Sequence, residues 1–356
     1  MAYTTIDDAG LYFNTLIWTG NDADSRDITG VGFQPDFVWG KRRDDAAGHN
    51  LLDVVRGAGE NGELQSNSNG AEGGGAQDRF GFLSAFLSDG FRVEDGTEAS
   101  GDKAYWNQNS ATYVAWNWKA GGSASSNTDG NVTSSVSVNQ TAGFSIVTYT
   151  GTGSNTTVGH GLGVKPNFIL FKKREGTSNW ITYDSENTAT SYLHLNLTDA
   201  VASASTVHNN TEPTSSVFSI GTNSHVNTAS GTYLAYCFAE KQGYSKIGSY
   251  TGNGNANGTF LYLGFKPAFV IIKDTTSTDP WHIIDNKRSP INLMNARLFP
   301  SNSNAENTSA DICDFVSTGI KFRGTNDGFN GSRTYVFYAV AESSFVNSKG
   351  VPNNAR

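Results

Sequence analysis

The sequence predicts an all-β protein of three tandem β-sandwich domains, and three observations carry that expectation. The first is a segment that occurs three times. Its copies are Gly32-Phe33-Gln34-Pro35-Asp36-Phe37-Val38-Trp39-Gly40-Lys41, Gly163-Val164-Lys165-Pro166-Asn167-Phe168-Ile169-Leu170-Phe171-Lys172 and Gly264-Phe265-Lys266-Pro267-Ala268-Phe269-Val270-Ile271-Ile272-Lys273. The second is spacing: Pro35, Pro166 and Pro267 stand 131 and 101 residues apart, as do Asp53, Asp184 and Asp285 and the Thr-Gly pairs at Gly20, Gly151 and Gly252. The third is composition, with 40 glycines against 2 methionines, and short apolar segments set between Gly/Asn/Ser/Thr turns. A repeat near 100 residues is too long for a solenoid turn or a propeller blade, so each copy is expected to close its own sandwich.

Within each copy the proline has no amide to donate, so it belongs before or at the start of a strand. The aromatic and β-branched run behind it lacks alternation, as expected of a central strand covered on both faces.

Taken in order, residues 1–122 make the first unit. Tyr12-Phe13 and Leu16-Ile17-Trp18 anchor its entry strand. Asn21 to Asp27 has the acidity of a calcium loop but carries Arg26 at a ligand position and no glycine hinge, so it reads as a solvated turn. Asp53-Val54-Val55-Arg56 and Asp285-Asn286-Lys287-Arg288 share an Asp-x-x-Arg pattern, broken in the middle copy by Asn187; charge-assisted closure of a turn explains it. The final strands carry Tyr113, Tyr233 and Tyr335 at offsets of 120 and 102, so the first copy has extra residues, assigned here to Gly70–Gln77. Residues 123–142, rich in Ser, Thr and Asn, read as a pliable connector. The second unit spans 143–242, the third 243–345, and a tail 346–356 follows.

Charge falls unevenly. The first unit holds nine Lys/Arg against eighteen Asp/Glu, residues 123–242 five against seven, and residues 243–356 eleven against eight. The acidic first unit argues against a nucleic-acid footprint. Cys237 and Cys313 are too few for a disulfide framework and read as buried apolar residues. Neither a signal h-region nor an apolar run of membrane-spanning length occurs, so no membrane insertion is expected.

No catalytic constellation emerges. Gly-x-Ser-x-Gly, Walker, HExxH and paired CxxC patterns are missing, and His49, His160, His194, His208, His225 and His282 have no metal-ligand spacing. Glu240 and Glu342 recur at equivalent positions where the first copy has Ala120, which looks architectural. No enzyme activity, metal or cofactor is therefore expected. The candidate surface-binding loop is Tyr105-Trp106-Asn107, since a loop tryptophan flanked by Asn and Gln can stack on a sugar ring; a plug under the loop is the competing reading.

Several stretches carry a resemblance to a known family. They are Ala2-Tyr3-Thr4-Thr5-Ile6-Asp7-Asp8, Trp18-Thr19-Gly20-Asn21, Ala115-Trp116-Asn117-Trp118-Lys119-Ala120-Gly121-Gly122, Gly248-Ser249-Tyr250-Thr251-Gly252-Asn253-Gly254, Asp285-Asn286-Lys287-Arg288-Ser289-Pro290 and Gly350-Val351-Pro352-Asn353-Asn354-Ala355-Arg356. Together they resemble phage virion proteins common in marine and cyanobacterial phages, described as tail fibre or virion structural proteins with jelly-roll or lectin-like modules. The resemblance implies a virion protein assembled in the host cytoplasm, partnered by other tail or capsid proteins and by a host surface glycan. It implies a homo-oligomer, with three the usual fibre number. The alternatives it leaves are a capsid decoration or tail-collar protein and a glycan depolymerase. In a tail-attached protein the N-terminal unit would be the virion anchor.

Overall fold

The computed structural model describes residues 3–74 and 77–352, and nearly all of its regular structure is antiparallel β. The first unit contains β1 (Phe13–Thr19), β2 (Ser25–Thr29), β3 (Phe37–Arg42), β4 (His49–Asp53), β5 (Leu64–Gln65), β6 (Phe82–Leu87), β7 (Gly90–Glu94) and β8 (Thr112–Trp118). Next come β9 (Ser125–Asn127), β10 (Ser134–Asn139), β11 (Phe144–Thr150), β12 (Thr156–Gly159), β13 (Phe168–Lys173), β14 (Ile181–Asp184), β15 (Ser191–His194), β16 (Ala202–Ser203), β17 (Val217–Ile220) and β18 (Thr232–Phe238). The third unit has β19 (Ser245–Thr251), β20 (Phe260–Tyr262), β21 (Phe265–Asp274), β22 (His282–Asp285), β23 (Cys313–Val316), β24 (Gly319–Phe322) and β25 (Thr334–Ser344).

One topology is repeated three times. The main sheets run β1-β8-β3-β4-β5, then β16-β15-β14-β13-β18-β11-β10-β9, then β19-β25-β21-β22. In each, the entry strand pairs with the unit's last strand, which pairs with the strand after the conserved-spacing proline. Smaller sheets β2-β7-β6, β12-β17 and β20-β24-β23 lie over them. Register repeats as well: Phe37, Phe168 and Phe269 face Asp53, Asp184 and Asp285 across the ladder. Pro35 and Pro166 precede their strands, whereas Pro267 lies inside β21 at a register shift, where its missing amide is harmless.

The unbroken apolar runs are explained by cover on two sides. Val38 packs outward with Phe91, Val93 and Trp106 of the small sheet and its loops. Phe37 and Trp39 point inward, into a core shared by all three units. Phe37, Phe168 and Phe269, with Trp39, Leu170 and Ile271, surround a pseudo-threefold axis together with Trp118, Phe238 and Tyr338. The void left on that axis is about 10 Å³, so the aromatic side chains fill it. The units are therefore not free-standing sandwiches. Each leaves the inner face of its main sheet apolar, and only the other two units cover it.

Backbone hydrogen bonds close the ring in cyclic order. Ala47 N–H donates to Ser303 O (2.9 Å), Ser178 N–H to Asn69 O (2.8 Å) and Asp279 N–H to Thr198 O (2.9 Å). A second set runs back: Glu72 to Arg174 O (2.7 Å), Val201 to Thr275 O (3.0 Å) and Glu306 to Arg43 O (2.7 Å).

Two sequence expectations change here. Residues 123–142 are not a pliable spacer, because β9 and β10 extend the second main sheet in register with β11, with Val136 buried. The Ser-Val alternation over 134–138 gives a half-buried strand, which composition alone disguised. Most of the extra length of the first unit also lies elsewhere. Glu72 takes part in the threefold-repeated seam, so Gly70–Gly74 belongs to the common frame; residues 75 and 76 fall outside the described residues. From Phe91 to Tyr113 is 22 residues, against 15 from Phe218 to Tyr233 and from Ile320 to Tyr335. Most of the insertion is thus in the loop around residues 95–101; a smaller part falls between Asp53 and Phe91, which are 38 residues apart against 34 from Asp184 to Phe218.

Candidate functional site

Trp106 is fully buried, and Asn107 nearly so. The indole stacks on Trp18 at a 6.4 Å centroid distance and meets Phe91 edge-on at 5.8 Å. Gly40 makes room for it, since a Cβ there would run into the ring. The proposed binding loop is a plug: with no open ring face, Trp106 cannot stack on a saccharide, and Tyr105 is half-buried against Phe80. Asn107 is a loop staple. Its Nδ2 donates to Asn21 Oδ1 and Ala23 O, both at 2.9 Å, and its Oδ1 accepts from Arg26 (3.0 Å). Buried Asn227 and Asn330 hold residues 152–154 and 253–255 in the same way. This is why Gly20, Gly151 and Gly252 recur: a Cβ at any of them would strike a carbonyl of the opposing loop. Tyr113, Tyr233 and Tyr335 close those loops through their hydroxyls.

The three aspartates sit at the seams between units. Asp53 Oδ2 accepts from Arg56 Nε (2.6 Å) and from the Tyr236 hydroxyl of the second unit (2.8 Å). Arg56 reaches Glu72 at 3.3 Å, and Glu72 pairs in turn with Arg174 of the second unit. The third–first seam repeats the chain of contacts. Asp285 Oδ2 accepts from Arg288 Nε (2.5 Å) and from Trp116 Nε1 (3.0 Å), while Glu306 bridges Arg288 (2.9 Å) and Arg43 (2.8 Å). At the second–third seam Asn187 stands in for the arginine, donating to both oxygens of Asp184 at 3.0 Å. Burial, without a cation to offset it, pushes the Asp184 carboxyl above its ordinary range. Lys41, Lys172 and Lys273 are equivalent, fully buried, and donate to backbone carbonyls. Desolvation lowers them to about 7, 8 and 8 respectively. Lys172 and Lys273 reach across seams, to Asn69 O (3.2 Å) and Thr198 O (3.3 Å), whereas Lys41 donates to Arg42 O and Asp45 O of its own unit.

A polar cleft of about 660 Å³ opens over the first seam, lined by Arg56, Glu60, Asn61, Glu72, Arg174 and Glu175 among others. Its Arg56–Glu72–Arg174 floor is committed to the seam. Elsewhere Ser178 Oγ lies 2.8 Å from His225 Nδ1, with His194 edge-on to His225 at 6.4 Å and Asp199 3.4 Å from His194. Ser178 is buried at 3% exposure, so the contact is a packing feature and lacks the open nucleophile that acyl transfer needs. Among the described residues no group of three or more His, Cys, Asp or Glu is arranged to hold a metal.

The feature the sequence did not flag lies on the third unit. Phe260 and Tyr262, on edge strand β20, are 48% and 54% exposed, while Leu261 between them is buried. Lys246 Nζ lies 5.4 Å from the Tyr262 ring centroid and donates to Tyr262 O at 3.0 Å. Lys321 stands directly across the ladder from Phe260.

A family described as a domain of unknown function (DUF7483) matches residues 8–344. The chain belongs to that family. No curated protein matches. The single DUF7483 match runs through all three units, in keeping with a domain whose smallest folded body is the closed ring.

Proposed function

We propose that this DUF7483 chain is a non-enzymatic structural protein of a bacteriophage virion, a tail fibre or tail-attached appendage that contacts the host surface. Its buried charges support that reading. Those at the first–second and third–first seams are linked in Asp–Arg–Glu–Arg chains that fasten one unit to the next, which suits a rigid body more than a catalyst. The sequence resemblance to phage virion proteins points the same way, and the threefold arrangement expected of an oligomer lies inside one chain. Other virion proteins are its proposed partners, with a host glycan at the outer surface. A second reading, capsid decoration or tail collar, is favoured by the closed ring, which is unlike an extended fibre. Quantitative mass spectrometry of purified virions tests both. A few to a few dozen copies supports an appendage, hundreds of copies supports decoration, and absence from virions refutes the proposal.

A further inference from the structure

We infer that the outer face of the third unit's small sheet binds acidic saccharides, with Phe260 and Tyr262 as the stacking surface and Lys246 and Lys321 as carboxylate partners. This inference deepens, and rests on, the reading of the chain as a surface-contacting protein.

The internal symmetry supplies the control. The pairs Ile28–Phe91, Val158–Phe218 and Leu261–Ile320 are equivalent across the small sheets, so Phe260 corresponds to Asp27 and Thr157, and Tyr262 to Thr29 and Gly159. The fold therefore needs no aromatic at either position. The same face is also engaged in the other units. In the first, Asp27 is tied to Arg92 at 2.6 Å. In the second, residues 131 and 132 run along the edge of β12, where Val132 bridges to Val158 and Asn131 N–H donates to Thr157 Oγ1 at 3.0 Å. Only in the third unit do two aromatic side chains stand on that face, about half exposed.

The chemistry selects the ligand. Alternate residues of a strand project on one side roughly 7 Å apart, so the two rings form one shelf. Aromatic faces take up the C–H surfaces of pyranose rings, and ammonium groups favour carboxylates. Lys246 over the Tyr262 ring and Lys321 beside Phe260 place two cations at the shelf. Arg323 adds a third charge nearby, partly offset by its 2.6 Å pair with Asp314. The third unit carries nine Lys/Arg against eight Asp/Glu, whereas the first unit is strongly acidic. A shelf of two rings with flanking cations matches an anionic glycan better than a neutral one.

Calorimetric titration of the full-length protein with oligomannuronate and with neutral isomaltohexaose tests this. The key variant is Phe260→Thr/Tyr262→Thr, which installs the residues found at Thr157 and Thr29. We expect the wild type to bind the oligouronate and to prefer it over the neutral probe. The double variant should bind it about tenfold more weakly or worse with an unchanged melting temperature, and Lys321→Gln should weaken oligouronate binding alone. The inference is overturned by no binding of either probe, by equal affinity for both, or by an unaffected double variant. Loss of the double variant from virions without wild-type saccharide binding would mark the patch as protein-docking, which also overturns it. Saccharide binding by a protein absent from virions would instead sink the virion reading and leave the shelf standing.

Discussion

Acid should destabilise this protein as pH falls from 6.5 toward 4, through two histidines of the second unit. His160 Nε2 lies 3.2 Å from Thr214 O, while its Nδ1 accepts the Leu162 N–H at 3.2 Å. That pair of partners fits the neutral ring, since a proton on Nδ1 would confront an N–H. His208 is buried between Phe171 and Tyr183. Burial lowers each to about 4 from an ordinary value of 6.5. The folded state thus binds its proton later than the unfolded state, so the stability these rings confer is complete above pH 6.5 and is lost as pH falls toward 4. At about 1.4 kcal/mol per tenfold in proton affinity, each ring withdraws roughly 3 kcal/mol by pH 4, and the two together roughly 6. That is a large share of the roughly 5–15 kcal/mol available to a domain. Urea unfolding at pH 7, 6, 5 and 4 measures it, with His160→Gln as the partner variant because glutamine keeps a donor toward Thr214. The variant should be somewhat less stable at pH 7 and should lose roughly 3 kcal/mol less between pH 7 and 4. A wild-type curve that is flat over that interval, or a variant that parallels it, refutes the reasoning.

Arg56→Ala strands Asp53 in the first seam and should cost roughly 3–5 kcal/mol by denaturant melt. Arg56→Asn, which copies the Asp184–Asn187 arrangement, should cost less, and equal losses would contradict the role given to the arginine. Trp106→Ala should cost roughly 3–5 kcal/mol. Trp106→Phe should cost about 1.5 kcal/mol or less, because Nε1 of Trp106 has no hydrogen-bond partner to lose. Neither Trp106 variant should alter adsorption to host cells, and a selective loss of adsorption by the stable Phe variant would return Trp106 to the surface.

The fold class was legible because repetition is insensitive to environment: equal offsets fix equivalent strands whatever covers them. Ring closure was not legible. An unbroken run such as Phe37-Val38-Trp39 states that both faces are buried but not whether the cover belongs to the same unit or the next. Trp106 sat among polar neighbours, and only the space left by Gly40, far off in sequence, shows where the ring goes. Asn107, Asn227 and Asn330 escaped notice because their second offset, 103, departs by one residue from the 102 of the tyrosines. The exposed shelf left a faint trace. Phe260 and Tyr262 flank a position equivalent to Ile28 and Val158, so a strand-by-strand alignment of the three copies isolates two aromatics where the others have Asp, Thr or Gly.

Closure makes one further outcome certain to differ from that of beads on a string. Removing residues 1–122 would uncover the faces of Phe144, Phe238, Tyr236 and Phe269 that now meet Phe37, Trp116 and Trp118. It would also leave Arg174 without Glu72 and Arg288–Glu306 without Arg43. Exposed apolar surface costs about 25 cal/mol per Å², so losing several large aromatic contacts at once exceeds what a two-unit fragment retains as net stability. A fragment of residues 123–356 should therefore be insoluble or lack a cooperative melt, while co-expression with residues 1–122 should restore a soluble 1:1 complex. The intact 38.1 kDa chain, with its three seams satisfied internally, should sediment as a monomer in isolation. A fragment of residues 123–356 that is monomeric and melts cooperatively by itself would show that the units are independent sandwiches after all, and that the shared aromatic axis contributes little.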